Sequence, residues 1–179
     1  TEIEDYNIAL KALPSPKYIH TNGYDLHRFE TEEQKCHIKL GGIDIAHNRK
    51  LIAHSDGDVL LHSITDAVLG LTASSDIGEL FPDDKKENEN RNSIDFINKA
   101  IEIAQNNKII ISHIDITIIL EAPKLSPYKD KIRNNIAKIF HLNNNQVNIK
   151  ATTNEKIGDI GNGDAIAVLT TITGEQYEY

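Results

Sequence analysis

The sequence predicts an α+β fold, a mixed β-sheet covered on one face by about three helices. Three observations carry this reading. Segments dense in Ile, Val and Thr at 109–121, 146–152 and 165–173 have the composition of strands. Two stretches, 58–73 and 93–105, hold apolar residues at helical spacing, and a third helix opens on Ser126-Pro127. The order of elements mixes the two types without a regular strand–helix–strand alternation and without a repeat.

The elements follow in chain order. Residues 1–16 end in Pro14-Ser15-Pro16 without an apolar period and read as a tail with at most a short helix, ahead of a single domain over 17–179. Tyr18 to Phe29 is extended. Ile38-Lys39-Leu40 and Ile43-Asp44-Ile45 are two β arms around Gly41-Gly42. Between 58 and 73, Leu60, Leu61, Ile64, Ala67, Val68 and Leu71 form one helical face, with Ser55-Asp56-Gly57 as the cap. The polar stretch from Asp83 to Asn92 reads as a surface loop that orders when ligand arrives. Ser93 caps a helix to Gln105 with Ile94, Ile97, Ile101 and Ala104 on one side, and the third helix runs from Ser126-Pro127 to Leu142.

Composition narrows the function. The chain has 179 residues, one domain's worth, and a net charge of -8. Without a basic stripe, that charge argues against a nucleic-acid partner, because duplex binding rests on Lys and Arg neutralising phosphates. An acidic protein still holds a phosphorylated small molecule when metal ions supply the positive charge. The apolar run Ile109-Ile110-Ile111 is broken at once by Ser112 and His113, and no run approaches the roughly 18 residues of a membrane span. The lone Cys36 has no internal disulfide partner, which points to a reducing compartment. The chain starts at Thr1 and contains no Met. Glu2, Glu4 and Asp5 are the wrong charge for a signal or transit peptide, so any targeting segment is expected to have been removed.

Three clusters carry chemistry. In Gly23-Tyr24-Asp25-Leu26-His27, Asp25 and His27 share one face of a strand, a pair that also reads as a surface accident. His62 lies on a helix with Asp58 four residues before it and Asp66 four after, which is either a solvated face or a metal-bound His62 oriented by Asp66. Asp25, His27 and His62 together form a two-His, one-carboxylate set with an open fourth position, as suits catalytic zinc. The third cluster, Lys150-Ala151-Thr152-Thr153-Asn154-Glu155, ends a strand before Gly158, Gly161 and Gly163. It reads as a plain turn, or as hydroxyls and N–H groups holding phosphate oxygens beside a Glu155 that ligates Mg²⁺.

Four strings then stand together: Ala53-His54-Ser55-Asp56-Gly57-Asp58; Asp76-Ile77-Gly78 with Phe81-Pro82-Asp83; Ala122-Pro123-Lys124-Leu125; and Lys150-Ala151-Thr152-Thr153 with Glu155. In order and spacing they resemble the signature blocks of the 2-C-methyl-D-erythritol 2,4-cyclodiphosphate synthase family over about residues 18–173. The resemblance implies a homotrimer with its sheets facing the trimer interior and active sites between subunits. It implies closure of a cyclic diphosphate from 4-diphosphocytidyl-2-C-methyl-D-erythritol 2-phosphate with release of CMP, in the non-mevalonate isoprenoid pathway. By the same resemblance, Asp25, His27 and His62 hold Zn²⁺ and Glu155 a second divalent ion, Mg²⁺ or Mn²⁺. His54 and Thr153 stabilise the transition state. Substrate contacts fall to Asp25, His27, His54, Ser55, Asp76, Ile77, Gly78, Phe81, Pro82, Asp83, Ala122, Pro123, Lys124, Leu125, Ser126, Thr152, Thr153, Asn154 and Glu155. Hydrolysis by water would use the same ligands. Glu121, Ser126 and Lys85 depart from the family's usual residues at the edges of these blocks. So do Asp159 and Asn162, where many bacterial members carry an aromatic residue and an Arg lining a cavity on the trimer axis. A plastid-type organelle fits the missing start and biased composition better than the bacterial cytoplasm.

Overall fold

A computed structural model describes residues 3, 15–53, 55–82 and 91–177. Its elements are β1 (Lys17–Arg28), β2 (Cys36–Leu40), β3 (Ile43–His47), α1 (Val59–Gly70), α2 (Ile77–Leu80), α3 (Ser93–Asn106), β4 (Ile109–Ile119), α4 (Lys129–Ile139), β5 (Val147–Thr152), α5 (Gly158–Gly161) and β6 (Ala165–Gln176). Four strands form one sheet in the order β1-β6-β4-β5, while β2 and β3 pair separately. β6 runs antiparallel to both β1 and β4, and β5 runs parallel to β4, so the sheet is mixed as expected.

Strand period 2 decides which sheet face is covered. Ile114, Ile116 and Ile118 of β4, Ile166, Val168 and Ile172 of β6, and Val147 and Ile149 of β5 are buried on one face. Each such side chain contributes roughly 1.5–3 kcal/mol on leaving water. Above them α1 packs on β1 and β6, α3 on β4, and α4 on β5. On the opposite face Tyr18, Tyr24, Leu26 and Leu169 are exposed, and no described element covers them.

The helix α1 is the centre of the protein, with residues buried all round it, including Ser63 and Thr65. It touches β1 backbone to backbone at Gly23, where a Cβ would meet Ser63 O at 2.0 Å and Ala67 N at 2.7 Å. The Ser63 hydroxyl fastens this contact with bonds to Gly23 O at 3.0 Å and Thr170 Oγ1 at 2.8 Å. At the helix start the fully buried Asp58 accepts from the N–H groups of Leu61 (3.0 Å), Gly41 (2.9 Å) and Gly42 (2.6 Å). Burial pushes its carboxyl above the ordinary range, and these donors act against that push. Gly41 and Gly42, with φ of 61° and 75°, make the two-residue turn joining β2 to β3, so Asp58 caps a helix and locks a hairpin together.

Several expectations are corrected. The cap of α1 is Asp58, one residue beyond the Ser55-Asp56-Gly57 group. α3 is capped by Asn92, whose side chain accepts from Ile94 N, and Ser93 turns elsewhere. α4 starts at Lys129, because Tyr128 and Lys129 both donate to Leu125 O and make Ser126-Pro127 a turn leading into the helix. The short α2 and α5 lack enough residues to show a period and were not expected. Most of the tail, and residues 83–90 of the polar loop, lie outside the described residues. No described helix is long and apolar enough to cross a membrane.

Candidate metal centre and substrate cleft

β1 turns Asp25 and His27 toward α1, and α1 presents His62 to meet them. His27 Nε2 lies 3.0 Å and His62 Nδ1 3.1 Å from the same Asp25 Oδ2. One ligand atom from each residue falls within 4.8 Å of the others, and this is the sole such group of three among the described residues. A tetrahedral zinc ion with bonds of about 2.0–2.1 Å spaces its ligand atoms about 3.3 Å apart, so the set fits that ion with small adjustment. Burial pushes the Asp25 carboxyl up, but hydrogen bonds and charge from His27 and His62 outweigh it and hold the group well below the usual carboxylate range. His27 Nδ1 is buried without a partner among the described residues.

The remaining partners of His62 differ from expectation. Asp66 does not orient the ring: its Oδ1 accepts from Ile77 N at 2.8 Å. Burial raises the Asp66 carboxyl above its ordinary value. His62 Nε2 meets instead the hydroxyls of Ser55 at 3.0 Å and Ser93 at 2.9 Å. Asp58, His62 and Asp66, one turn apart on α1, thus serve three different neighbours. The error came from reading helical spacing as shared purpose, when the partners of all three come from other elements.

These three side chains open into a cleft of about 310 Å³, walled also by Ser55, Ile77, Phe81 and Phe96. Asp76 caps α2 by accepting from Glu79 N at 2.9 Å, so the tie from Asp66 and this cap fix the Asp76-Ile77-Gly78 segment at the cleft rim. Phe81 packs on Phe96 at 4.5 Å and under the Arg91 guanidinium at 5.1 Å, with Pro82 half-buried beside it. His54 and Asp83 lie outside the described residues.

A second cavity of about 290 Å³ is lined by Glu121, Pro123, Lys124, Ser126, Thr152 and Thr153, with Leu125 buried at its base and Ala122 exposed beside it. Thr153 Oγ1 donates to Glu155 Oε1 at 3.0 Å. Glu155 and Lys156 both adopt left-handed backbone, with φ of 50° and 61°. Glu121, noted in the sequence only as a departure, holds that bend by accepting from Asn154 N at 2.8 Å and Lys156 N at 3.4 Å. Nothing in the spacing of the sequence signals this bond.

Within one chain the two groups remain apart. Asp25 and His27 ride on β1 at one edge of the sheet, whereas Thr152 ends β5 at the other edge and Thr153 and Glu155 follow it. Three inter-strand steps of about 4.8 Å separate those edges. Of the histidines with no expected role, His20 bonds Thr173 and His47 bonds Arg49 O, both ordinary partners. Asp159 lies 3.8 Å from Arg28, an exposed pair of little energetic weight.

The YgbB family profile matches residues 19–175. A curated relative from Idiomarina loihiensis, named 2-C-methyl-D-erythritol 2,4-cyclodiphosphate synthase, is 39% identical over 87% of the chain and 96% of its own length. The bifunctional enzyme IspD/IspF of Oleidesulfovibrio alaskensis is 45% identical over 84% of the chain but only 37% of its own length. The chain thus spans less than half of several curated relatives it matches. Among solved structures, a Plasmodium falciparum IspF in complex with CDP is 32% identical, with a TM-score of 0.78 over 90% of this chain and 97% of that one.

Proposed function

The chain belongs to the YgbB family, and from that premise we propose that it converts 4-diphosphocytidyl-2-C-methyl-D-erythritol 2-phosphate into 2-C-methyl-D-erythritol 2,4-cyclodiphosphate and CMP. The observation that carries the reading is the convergence of Asp25, His27 and His62 on one point at the mouth of the cleft. Zn²⁺ there, and Mg²⁺ or Mn²⁺ at Glu155, would neutralise and polarise the diphosphate.

An oxygen of the substrate's 2-phosphate attacks the β-phosphorus, and the bond from that phosphorus to the CMP oxygen breaks. No protein nucleophile is needed, so acceleration comes from positioning and charge. Phe81 and Phe96 wall the cleft, and we assign the segment from Asp76 to Gly78 to the erythritol hydroxyls and the hydroxyl of Ser55 to the methylerythritol phosphate. Thr153 and His54 are assigned to the charge that develops at the reacting phosphate. Residues Ala122 to Ser126 are assigned to cytosine, largely through backbone groups that read the base edge.

We assign a homotrimer of about 60 kDa, three times the 20.0 kDa chain, on the family resemblance, and the separation of the two groups supports a site shared between subunits. In that reading the β1 edge of one subunit meets the β5 edge of another to complete a site, and the exposed Tyr18, Tyr24, Leu26 and Leu169 offer apolar surface for association. The single domain over 17–179 remains our reading. The curated relatives named above are bacterial, which lends no support to a plastid-type compartment and fits a bacterial cytoplasm.

The test is incubation with the cytidyl substrate, Zn²⁺ and Mg²⁺. Equimolar cyclic diphosphate and CMP are expected; a linear phosphate with CMP, or no turnover, refutes cyclisation.

A further inference from the structure

We propose that Ser93, backed by Asp56, is a positioning residue that sets the tautomer and aim of His62 as a metal ligand. The proposal rests on the reading of Asp25, His27 and His62 as a metal site. Ser93 is fully buried, the first residue of α3, and 31 positions from His62 in sequence. Because Asn92 takes the capping role, the Ser93 hydroxyl is released from the helix end. It lies 2.9 Å from His62 Nε2 and donates to Asp56 Oδ1.

The direction of these bonds follows from counting protons. A hydroxyl has one hydrogen, and a carboxylate accepts only. With its hydrogen given to Asp56, Ser93 Oγ meets His62 as an acceptor, so Nε2 carries the ring proton. In the neutral ring that leaves the lone pair on Nδ1, the atom 3.1 Å from Asp25 Oδ2 on the side where His27 converges. Ser55 Oγ, 3.0 Å from the same Nε2, accepts from Gly57 N as well but has no carboxylate behind it. Phe96, one turn after Ser93 on α3, holds the ring from a second side with centroids 5.7 Å apart. The first turn of α3 therefore acts as the clamp that Asp66 had been expected to provide, by the general arrangement in which a ligating His gives its second N–H to an oxygen.

The experiment measures zinc affinity of the purified full chain by competition with a chromogenic chelator. Wild type should bind one zinc per chain and His62→Ala none; a wild type that binds no zinc overturns the metal-site reading itself. With that established, Ser93→Ala should weaken zinc about 10- to 100-fold although every ligand is intact. Ser93→Thr, which keeps the hydroxyl, should restore affinity to within about threefold, a rescue that a packing role alone would not give. Asp56→Ala interrupts the same chain of bonds without altering α3, and combined with Ser93→Ala it should add little to the single effect. Wild-type zinc affinity in either Ser93→Ala or Asp56→Ala overturns the proposal while leaving the metal site standing.

Discussion

Replacing Asp58 by alanine tests how the protein is assembled around α1. The carboxylate is the acceptor for three backbone N–H groups: Leu61 in the first turn of the helix, and Gly41 and Gly42 in the hairpin. A buried donor left without a partner costs about 1–3 kcal/mol, so the three together set an upper bound of about 9 kcal/mol. Two effects reduce it: water enters the vacated space, and a buried charge no longer has to be desolvated. We expect a net loss of about 3 kcal/mol, of which the lost helix cap is about 1. For a chain of 179 residues this corresponds to a fall in Tm of about 6–12 °C. Asp58→Asn keeps one oxygen and should lose about half as much. Thermal and urea denaturation at a fixed protein concentration gives the values, since association would otherwise shift them. Amide exchange should accelerate at Gly41, Gly42 and Leu61 before the sheet is affected. An alanine variant within 0.5 kcal/mol of wild type, taken as roughly the noise of such measurements, would show that Asp58 does not join the two elements.

Other outcomes follow from the same geometry. Asp66→Ala should leave zinc affinity unchanged and raise KM about 5- to 30-fold, the equivalent of losing about 1–2 kcal/mol with the bond to Ile77 N, and tenfold weaker zinc with unchanged KM would return Asp66 to the role of orienting His62. Glu155→Gln should retain zinc while turnover at ordinary Mg²⁺ falls at least about tenfold, and wild-type rates across a Mg²⁺ titration would remove Glu155 from the second metal site. Burial raises the Asp115 carboxyl, but its hydrogen bonds from Lys150 and Asn148 outweigh that and lower it overall. Its stabilisation, under about 1 kcal/mol at this partly exposed site, is therefore present above about pH 4 and lost as pH falls. Urea denaturation of wild type and Asp115→Asn should differ at neutral pH and converge as pH falls below the ordinary carboxylate range; a gap that widens in acid contradicts the sign.

Sequence patterning reported the sheet and its helices well, because burial on one face imposes period 2 on β4 and β6 and period 3.6 on α3. It grouped Asp25, His27 and His62 as one candidate set, since strand alternation already aligned the first two, and the three side chains do converge. What it missed depends on contacts between distant segments. Nothing near Ser93 indicates that its hydroxyl faces His62, and nothing near Glu121 indicates that it holds the Asn154 and Lys156 amides. The mistaken partner for His62 arose because Asp66 lies one turn away in sequence while the true partners arrive from elsewhere. Short helices such as α2 stay invisible for another reason: four residues are too few to display a period.

The left-handed pair Glu155 and Lys156 is clamped from two sides, by the Glu121 carboxylate and by Gly161, where a Cβ would stand 2.3 Å from Lys156 C. Glycine would relax the backbone at either position of the pair, by roughly 0.5–1 kcal/mol, yet at 155 it would erase the carboxylate. Relaxing the backbone and keeping the carboxylate therefore pull in opposite directions at that residue. The constraint spreads outward to Glu121 and Gly161, where a tolerable change of shape would be felt as a misdirected carboxylate. Mutational tolerance in this protein should accordingly be low at Glu121 and Gly161, which act only through the bend they hold.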